Sequence, residues 1–130
     1  MSMENLNTSR KRLLIVDDSL EIRKGLIRFI SEIPTVNIVG EAGDAETALT
    51  LVEELKPDYV TLDIKMPGEG GIITLTEIKK RHPQIIVMML TNFPFDHYRK
   101  ACKNAGADYF FDKSHEFEEM VNTIKNLSDN

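Results

Sequence analysis

Five short apolar runs, each followed by a stretch with helical spacing, constrain this chain more than any other feature. The first run, Leu13-Leu14-Ile15-Val16, has no polar residue to present to solvent. A strand with one wet face alternates, whereas an unbroken run suits a strand covered on both faces, the environment of a parallel sheet flanked by helices. Ser19 suits an N-cap. Apolar residues then recur at Ile22, Leu26, Phe29, Ile30 and Ile33, all expected inward, until Pro34 ends the helix. Val36 to Val39 reads as a second strand and Gly40 to Gly43 as a loop. Asp44 suits the N-cap of a helix that turns Ala45, Ala48, Leu49, Val52 and Leu55 inward. Pro57-Asp58 opens a third strand. A third helix runs to about Arg81, with Ile72, Leu75 and Ile78 as core, and His82-Pro83 stops it. Ile85 to Leu90 is the fourth strand. The fourth helix spans roughly Phe95 to Asn104, with Tyr98, Ala101, Cys102 and Ala105 on one face and Gly106 at its C-cap. Asp108 to Asp112 is the fifth strand. A last helix starts at Ser114 or His115 and buries Phe117, Met120, Val121, Ile124 and Leu127.

Strict alternation of strand and helix predicts an α/β fold with helices on both faces of a parallel sheet, and right-handed crossovers leave few topologies. The residues at the strand ends are chemically suited to one another. Asp17 and Asp18 follow the first strand. Asp63 follows the third, just before the turn at Pro67-Gly68. Thr91 follows the fourth and Lys113 the fifth. If strand order reverses beside the first strand, a crevice opens at the ends of strands one and three, where the three acids stand.

Three carboxylates in one crevice repel, so either their pKa values rise or a cation binds. Hard oxygen ligands in small number favour Mg²⁺. Such a site draws in a phosphoryl group, and Asp63 is placed to act as a nucleophile and form an acyl phosphate. Phosphoryl transfer needs mainly positioning and charge neutralisation, with the metal on one oxygen, Lys113 on another, and the Thr91 hydroxyl or a loop amide on the third. Asp17-Asp18-Ser19-Leu20-Glu21 is no glycine-rich phosphate cradle, which disfavours a nucleotide.

At 130 residues the chain is one domain's length. A net charge of −5 with no long basic run argues against direct nucleic-acid binding. The longest apolar run, Ile85 to Leu90, is too short to cross a membrane. The polar start, Met1 to Arg12, has no apolar signal segment, and the lone Cys102 fits a reducing cytoplasm. His82, His97 and His115 lack metal-ligand spacing. Cys102, Met88 and Met89 read as core. Arg99, Lys100 and Lys103 read as a solvated helix face.

The acidic pair Asp17-Asp18, the stretch Asp63-Ile64-Lys65-Met66-Pro67-Gly68 with Gly71, Thr91-Asn92, Gly106-Ala107-Asp108 and Lys113 occur in this order at the ends of successive elements. In this the sequence resembles the receiver domain of bacterial response regulators, over Arg12 to Leu127. Val39-Gly40-Glu41-Ala42 resembles the subgroup whose members often carry a helix-turn-helix output domain. The resemblance implies a doubly wound, flavodoxin-like (βα)5 fold with strand order 2-1-3-4-5. It implies that Asp63 accepts a phosphoryl group from a phosphohistidine on a sensor kinase or phosphotransfer protein. Mg²⁺ would be held by Asp18, Asp63 and the Lys65 backbone carbonyl, with Asp17 acting mostly through a metal-bound water. Thr91 would move to the phosphoryl oxygen, Lys113 would pair with it, and Phe110, three before the lysine, would be the switch residue. Such domains catalyse their own phosphorylation and dephosphorylation and are switches rather than metabolic enzymes. Tyr109 is expected on the face opposite Phe110.

Residues 1–11 are expected to form a flexible tail and 12–128 the receiver domain, with no output domain in this chain; a stand-alone receiver and an excised domain both remain open. The expected output face is the fourth helix, fifth strand and fifth helix. It includes Arg99, Lys100 and Lys103 on the fourth helix and Glu116 and Glu119 on the fifth, opposite charges that could pair across a two-fold axis in a homodimer or meet a downstream protein target. One departure from the family bears on Lys113: its common cis proline is replaced by Ser114, and a cis bond there would cost about 3 kcal/mol over trans. The alternative functions are a degenerate receiver used as a binding module, which would be expected to have lost site residues, and an aspartate-nucleophile phosphatase. The latter usually wants an acid two residues after the nucleophile, where Lys65 stands.

Overall fold

A computed structural model describes residues 10–68 and 70–129. Most of the expected N-terminal tail, residues 1–9, lies outside the described residues. The elements are β1 (Lys11–Val16), α1 (Leu20–Ile30), β2 (Val36–Ala42), α2 (Ala45–Leu55), β3 (Tyr59–Leu62), α3 (Gly71–Arg81), β4 (Ile86–Thr91), α4 (Asp96–Asn104), β5 (Tyr109–Asp112) and α5 (Phe117–Asp129). All five strands are parallel, in the order β2-β1-β3-β4-β5. The parallel sheet read from the alternation is formed, in the strand order that the resemblance implied.

The pleat sends alternate side chains to opposite faces. Leu14, Val16, Val60, Leu62, Val87 and Met89 meet Ala48 and Val52 of α2, Leu75 and Ile78 of α3, and Cys102 of α4. On the other face Leu13, Ile15, Tyr59, Met88, Leu90 and Phe111 meet Leu26 and Ile30 of α1 and Met120 and Ile124 of α5. Phe110 packs with the first cluster and Tyr109 with the second, on opposite faces as expected. Burial pushes the Cys102 thiol up to about 11, as suits a core residue.

Caps follow the sequence. Ser19 accepts from the Ile22 amide and Asp44 from the Thr47 amide. Gly106 takes φ 101° behind α4, a left-handed conformation that side chains resist.

Three local expectations are corrected. β2 continues through Gly40, Glu41 and Ala42, which pair with Leu14, Ile15 and Val16; the register shifts between Leu13 and Leu14, so Val39 is the extra residue of a bulge. Phe29 is 50% exposed and meets Phe117 edge-on at 5.6 Å, because α1 turns only Leu26 and Ile30 fully into the core. α5 begins at Phe117, since residues 113–115 form a turn held by Asp112.

Candidate functional site

Parallel strands deliver their C-terminal ends to one edge of the sheet, and this order sets β3 between β1 and β4. Asp63 leaves β3 with its amide donating to the Val16 carbonyl at 3.2 Å, which ties it to the end of β1. Asp17 continues β1 with its amide on the Ala42 carbonyl of β2 at 2.9 Å. One carboxylate oxygen from each of Asp17, Asp18 and Asp63 lies within 4.8 Å of the others. Asp17 and Asp63 are buried and Asp18 is exposed at the mouth.

Lys113 arrives from the end of β5. Its ammonium lies 2.7 Å from Asp17 Oδ2 and 3.0 Å from Asp63 Oδ2, and its side chain is 7% exposed. Burial alone would lower the Lys113 pKa, but hydrogen bonding and charge from both aspartates outweigh that and raise it. Burial, reinforced by the Asp63 charge, raises the Asp17 carboxyl above its ordinary value against the pull of Lys113 and the Ser19 amide. Lys113 pairs with two of the three carboxylates, which leaves a local excess of negative charge. Asp63 Oδ1 is buried and has no hydrogen-bond partner. Orphaned buried oxygens are uncommon in folded proteins. A hard oxygen donor set, an orphaned carboxylate oxygen and a charge excess together fit a divalent cation of the Mg²⁺ type. Asp17 is otherwise engaged: Oδ1 accepts from the Ser19 amide at 2.9 Å and Oδ2 pairs with Lys113.

Thr91 is the last residue of β4 and fully buried. Its hydroxyl accepts from the Phe93 amide at 3.0 Å, and its carbonyl accepts from the Lys113 amide at 2.9 Å. Thr91 and Lys113 are therefore joined through the backbone. No cis peptide bond occurs among the described residues, so Lys113–Ser114 is trans. Asp112 organises the turn instead. Its Oδ1 accepts from the Ser114 amide at 2.9 Å, and its Oδ2 meets His115 Nδ1 at 3.0 Å. The His115 bond, then the Ser114 amide, holds the Asp112 carboxyl below its ordinary value.

Sequence reasoning missed the surroundings. The Lys65 ammonium stands 5.4 Å from the centroids of both Phe93 and Tyr98, within cation–π range, so the loop after β3 touches the start of α4. Gly71 opens α3 against the site: its amide donates to the Ile64 carbonyl at 2.7 Å, and a Cβ there would stand 1.8 Å from the Asp63 carbonyl oxygen. Phe110, half-buried on β5, lies under the Arg99 guanidinium, whose carbon is 4.6 Å from the ring centroid. Arg99 also reaches Glu116 at 3.5 Å within the same chain. None of these pairings has a spacing that reveals it, apart from the glycine at the loop's end.

The family model for the response regulator receiver domain matches residues 13–125. The response regulator GacA of Pseudomonas aeruginosa is 35% identical over 116 residues, 89% of this chain and 54% of that protein. The response regulator protein VraR of Staphylococcus aureus is 32% identical over 117 residues, 90% of this chain and 56% of that one. The chain spans about half the length of these relatives. Among solved structures, the response regulator domain of Thermotoga maritima CheB superposes with a TM-score of 0.84 at 30% identity, covering 93% of this chain and 98% of that one. A DNA-binding response regulator of the LuxR family from Staphylococcus aureus gives 0.83 at 32% identity, covering 92% and 99%.

Proposed function

The chain belongs to the response regulator receiver-domain family, and from that premise we propose that it is a phosphorylation switch whose acceptor is Asp63. The carrying observation is the junction of Asp63 with Lys113 at 3.0 Å and with the acidic pair, at the mouth of β3, with one carboxylate oxygen left unpartnered. In the transfer step an Asp63 oxygen attacks the phosphorus of a phosphohistidine on a sensor kinase or histidine phosphotransfer protein. A P–O bond forms, the P–N bond breaks, and the histidine nitrogen leaves with the electron pair and takes a proton. Asp18, Asp63 and the Lys65 backbone carbonyl would hold Mg²⁺, which when bound neutralises phosphoryl charge. The engagement of both Asp17 oxygens supports an indirect part for that residue. Lys113 pairs with a second phosphoryl oxygen by moving from Asp63 Oδ2, and self-catalysed loss of the phosphoryl group to water resets the switch.

Thr91 Oγ1, now bonded to the Phe93 amide, turns to the third oxygen. The space released admits the ring of Phe110, and burying a phenylalanine more fully is worth up to ~2 kcal/mol, enough to shift a two-state balance more than tenfold. Arg99 rests on that ring and pairs with Glu116, so the face formed by α4, β5 and α5 changes with it. That face, with Arg99, Lys100, Lys103, Glu116 and Glu119, would meet a downstream protein or a second copy of the chain. The reading sets the domain, residues 12–128, beside its kinase in the cytoplasm. A phosphorylation-independent binding module is disfavoured because Asp17, Asp18, Asp63, Thr91 and Lys113 are all present.

Intact mass after incubation with acetyl phosphate tests the proposal. One phosphoryl group is expected only with Mg²⁺, and none in Asp63→Asn. An equal mass gain in that variant would remove Asp63 from the role.

A further inference from the structure

The acidic pair stands on a turn, and an arginine that does not touch the carboxylates braces that turn. Arg23, on α1, donates from one terminal nitrogen to the Asp17 backbone carbonyl at 2.5 Å and from Nε to Glu41 Oε1 at 2.8 Å. Its side chain is 17% exposed, while that of Glu41, near the end of β2, is 43% exposed. The guanidinium therefore bridges the ends of β1 and β2 beside the crevice. Gly43 lies against it: a Cβ there would stand 3.2 Å from the Arg23 nitrogen and 3.8 Å from the Asp17 carbonyl oxygen.

We propose that Arg23 is a positioning residue for the cation site, acting through the Asp17 carbonyl with Glu41 as its anchor. The inference rests on the reading of Asp18 and Asp63 as Mg²⁺ ligands. The backbone of Asp17 is held at both ends, its amide by the Ala42 carbonyl and its carbonyl by Arg23. Asp18 follows directly and is exposed, so the turn chiefly sets the direction of its carboxylate. One other role for Arg23 is separable from this one. As a charge alone, a guanidinium near three acids opposes a second cation, and its removal would tighten metal binding. As a brace it does the opposite: its removal loosens the turn and weakens binding. Glu41 fits the brace, because its carboxylate neutralises the guanidinium while fixing its plane with a charge-assisted hydrogen bond.

The test is Mg²⁺ titration of the unphosphorylated ¹⁵N-labelled protein, followed by amide shifts in residues 17–19 and 63–65, for the wild type, Arg23→Gln, Arg23→Lys and the double variant Arg23→Gln/Glu41→Gln. Groups that orient metal ligands typically contribute about 10–100-fold to affinity, so Arg23→Gln should bind about tenfold more weakly. Arg23→Lys, which donates from a single point, should recover part of the loss. The double variant, neutral where the wild-type pair is neutral, should remain weak. Urea unfolding of each variant separates this from loss of fold: each should be fully folded without denaturant, the condition of the titration. Wild-type binding with equal or tighter affinity in Arg23→Gln, or a double variant equal to the wild type, overturns the inference. Absence of Mg²⁺ shifts in the wild type itself overturns the cation-site reading and the inference with it.

Discussion

Gly71→Ala should damage the site and the fold together, whereas the same substitution at Gly25 should stabilise the protein. At Gly71 the new methyl would sit 1.8 Å from the Asp63 carbonyl oxygen and 2.7 Å from both its carbonyl carbon and the Ile64 Cα. All three are backbone atoms, so no side-chain rotation relieves the clash, and β3's exit or the start of α3 must shift to make room. Overpacking of this kind costs typically about 1–3 kcal/mol, partly offset by the roughly 0.5–1 kcal/mol that alanine gains over glycine in a helix. The shift falls on the loop that carries Asp63, and misplacement by about 1 Å can slow a positioned reaction about 100-fold. Gly25, inside α1, has nothing within 4 Å of the place its methyl would take, so Gly25→Ala keeps only the helical gain of about 1 kcal/mol. Urea midpoints and the initial rate of Mg²⁺-dependent phosphorylation by acetyl phosphate measure both variants. A Gly71→Ala protein with the wild-type midpoint and rate would refute the steric argument. So would a Gly25→Ala protein destabilised to the same degree.

Three further outcomes are expected. Thr61 is buried on β3 with a hydroxyl that has no partner, so Thr61→Val should raise stability by about 1 kcal/mol in thermal unfolding, with phosphorylation unchanged. The Asp112 carboxyl, held low mainly by His115, contributes stability above its unfolded value of 3.8 and loses it as pH falls through the lower folded value; urea midpoints across that acidic window should fall less steeply in His115→Ala. Phe110→Ala should accept a phosphoryl group at near wild-type rate. Beryllofluoride with Mg²⁺ should then change amide exchange over residues 95–119 in the wild type and much less in the variant, and equal changes would remove Phe110 as the relay.

Much of this protein was legible along the chain because the signals are local. An unbroken run such as Leu13 to Val16 marks a strand covered on both faces, Ser19 and Asp44 mark helix starts by the bond their side chains accept, and His82-Pro83 marks a stop. The residues of the candidate site were legible for the same reason, since each stands where a strand's periodicity ends. Their convergence was not local: Lys113 meets Asp63 across 50 residues of chain, and only the order β2-β1-β3-β4-β5 brings the ends of β1, β3, β4 and β5 to one crevice. β2 runs on past the bulge at Val39 because its extent is set by pairing with β1, information absent from β2's own residues. The same holds for the contacts that brace the site: Arg23 on the Asp17 carbonyl, Asp112 on the turn after Lys113, and Lys65 over Phe93 and Tyr98. Long polar side chains carry no periodic signature, and what they reach depends on which backbone groups the fold leaves without partners. Sequence determined where chemistry could stand; tertiary packing decided which of those groups touch, because pairing between distant segments depends on the geometry of the whole sheet.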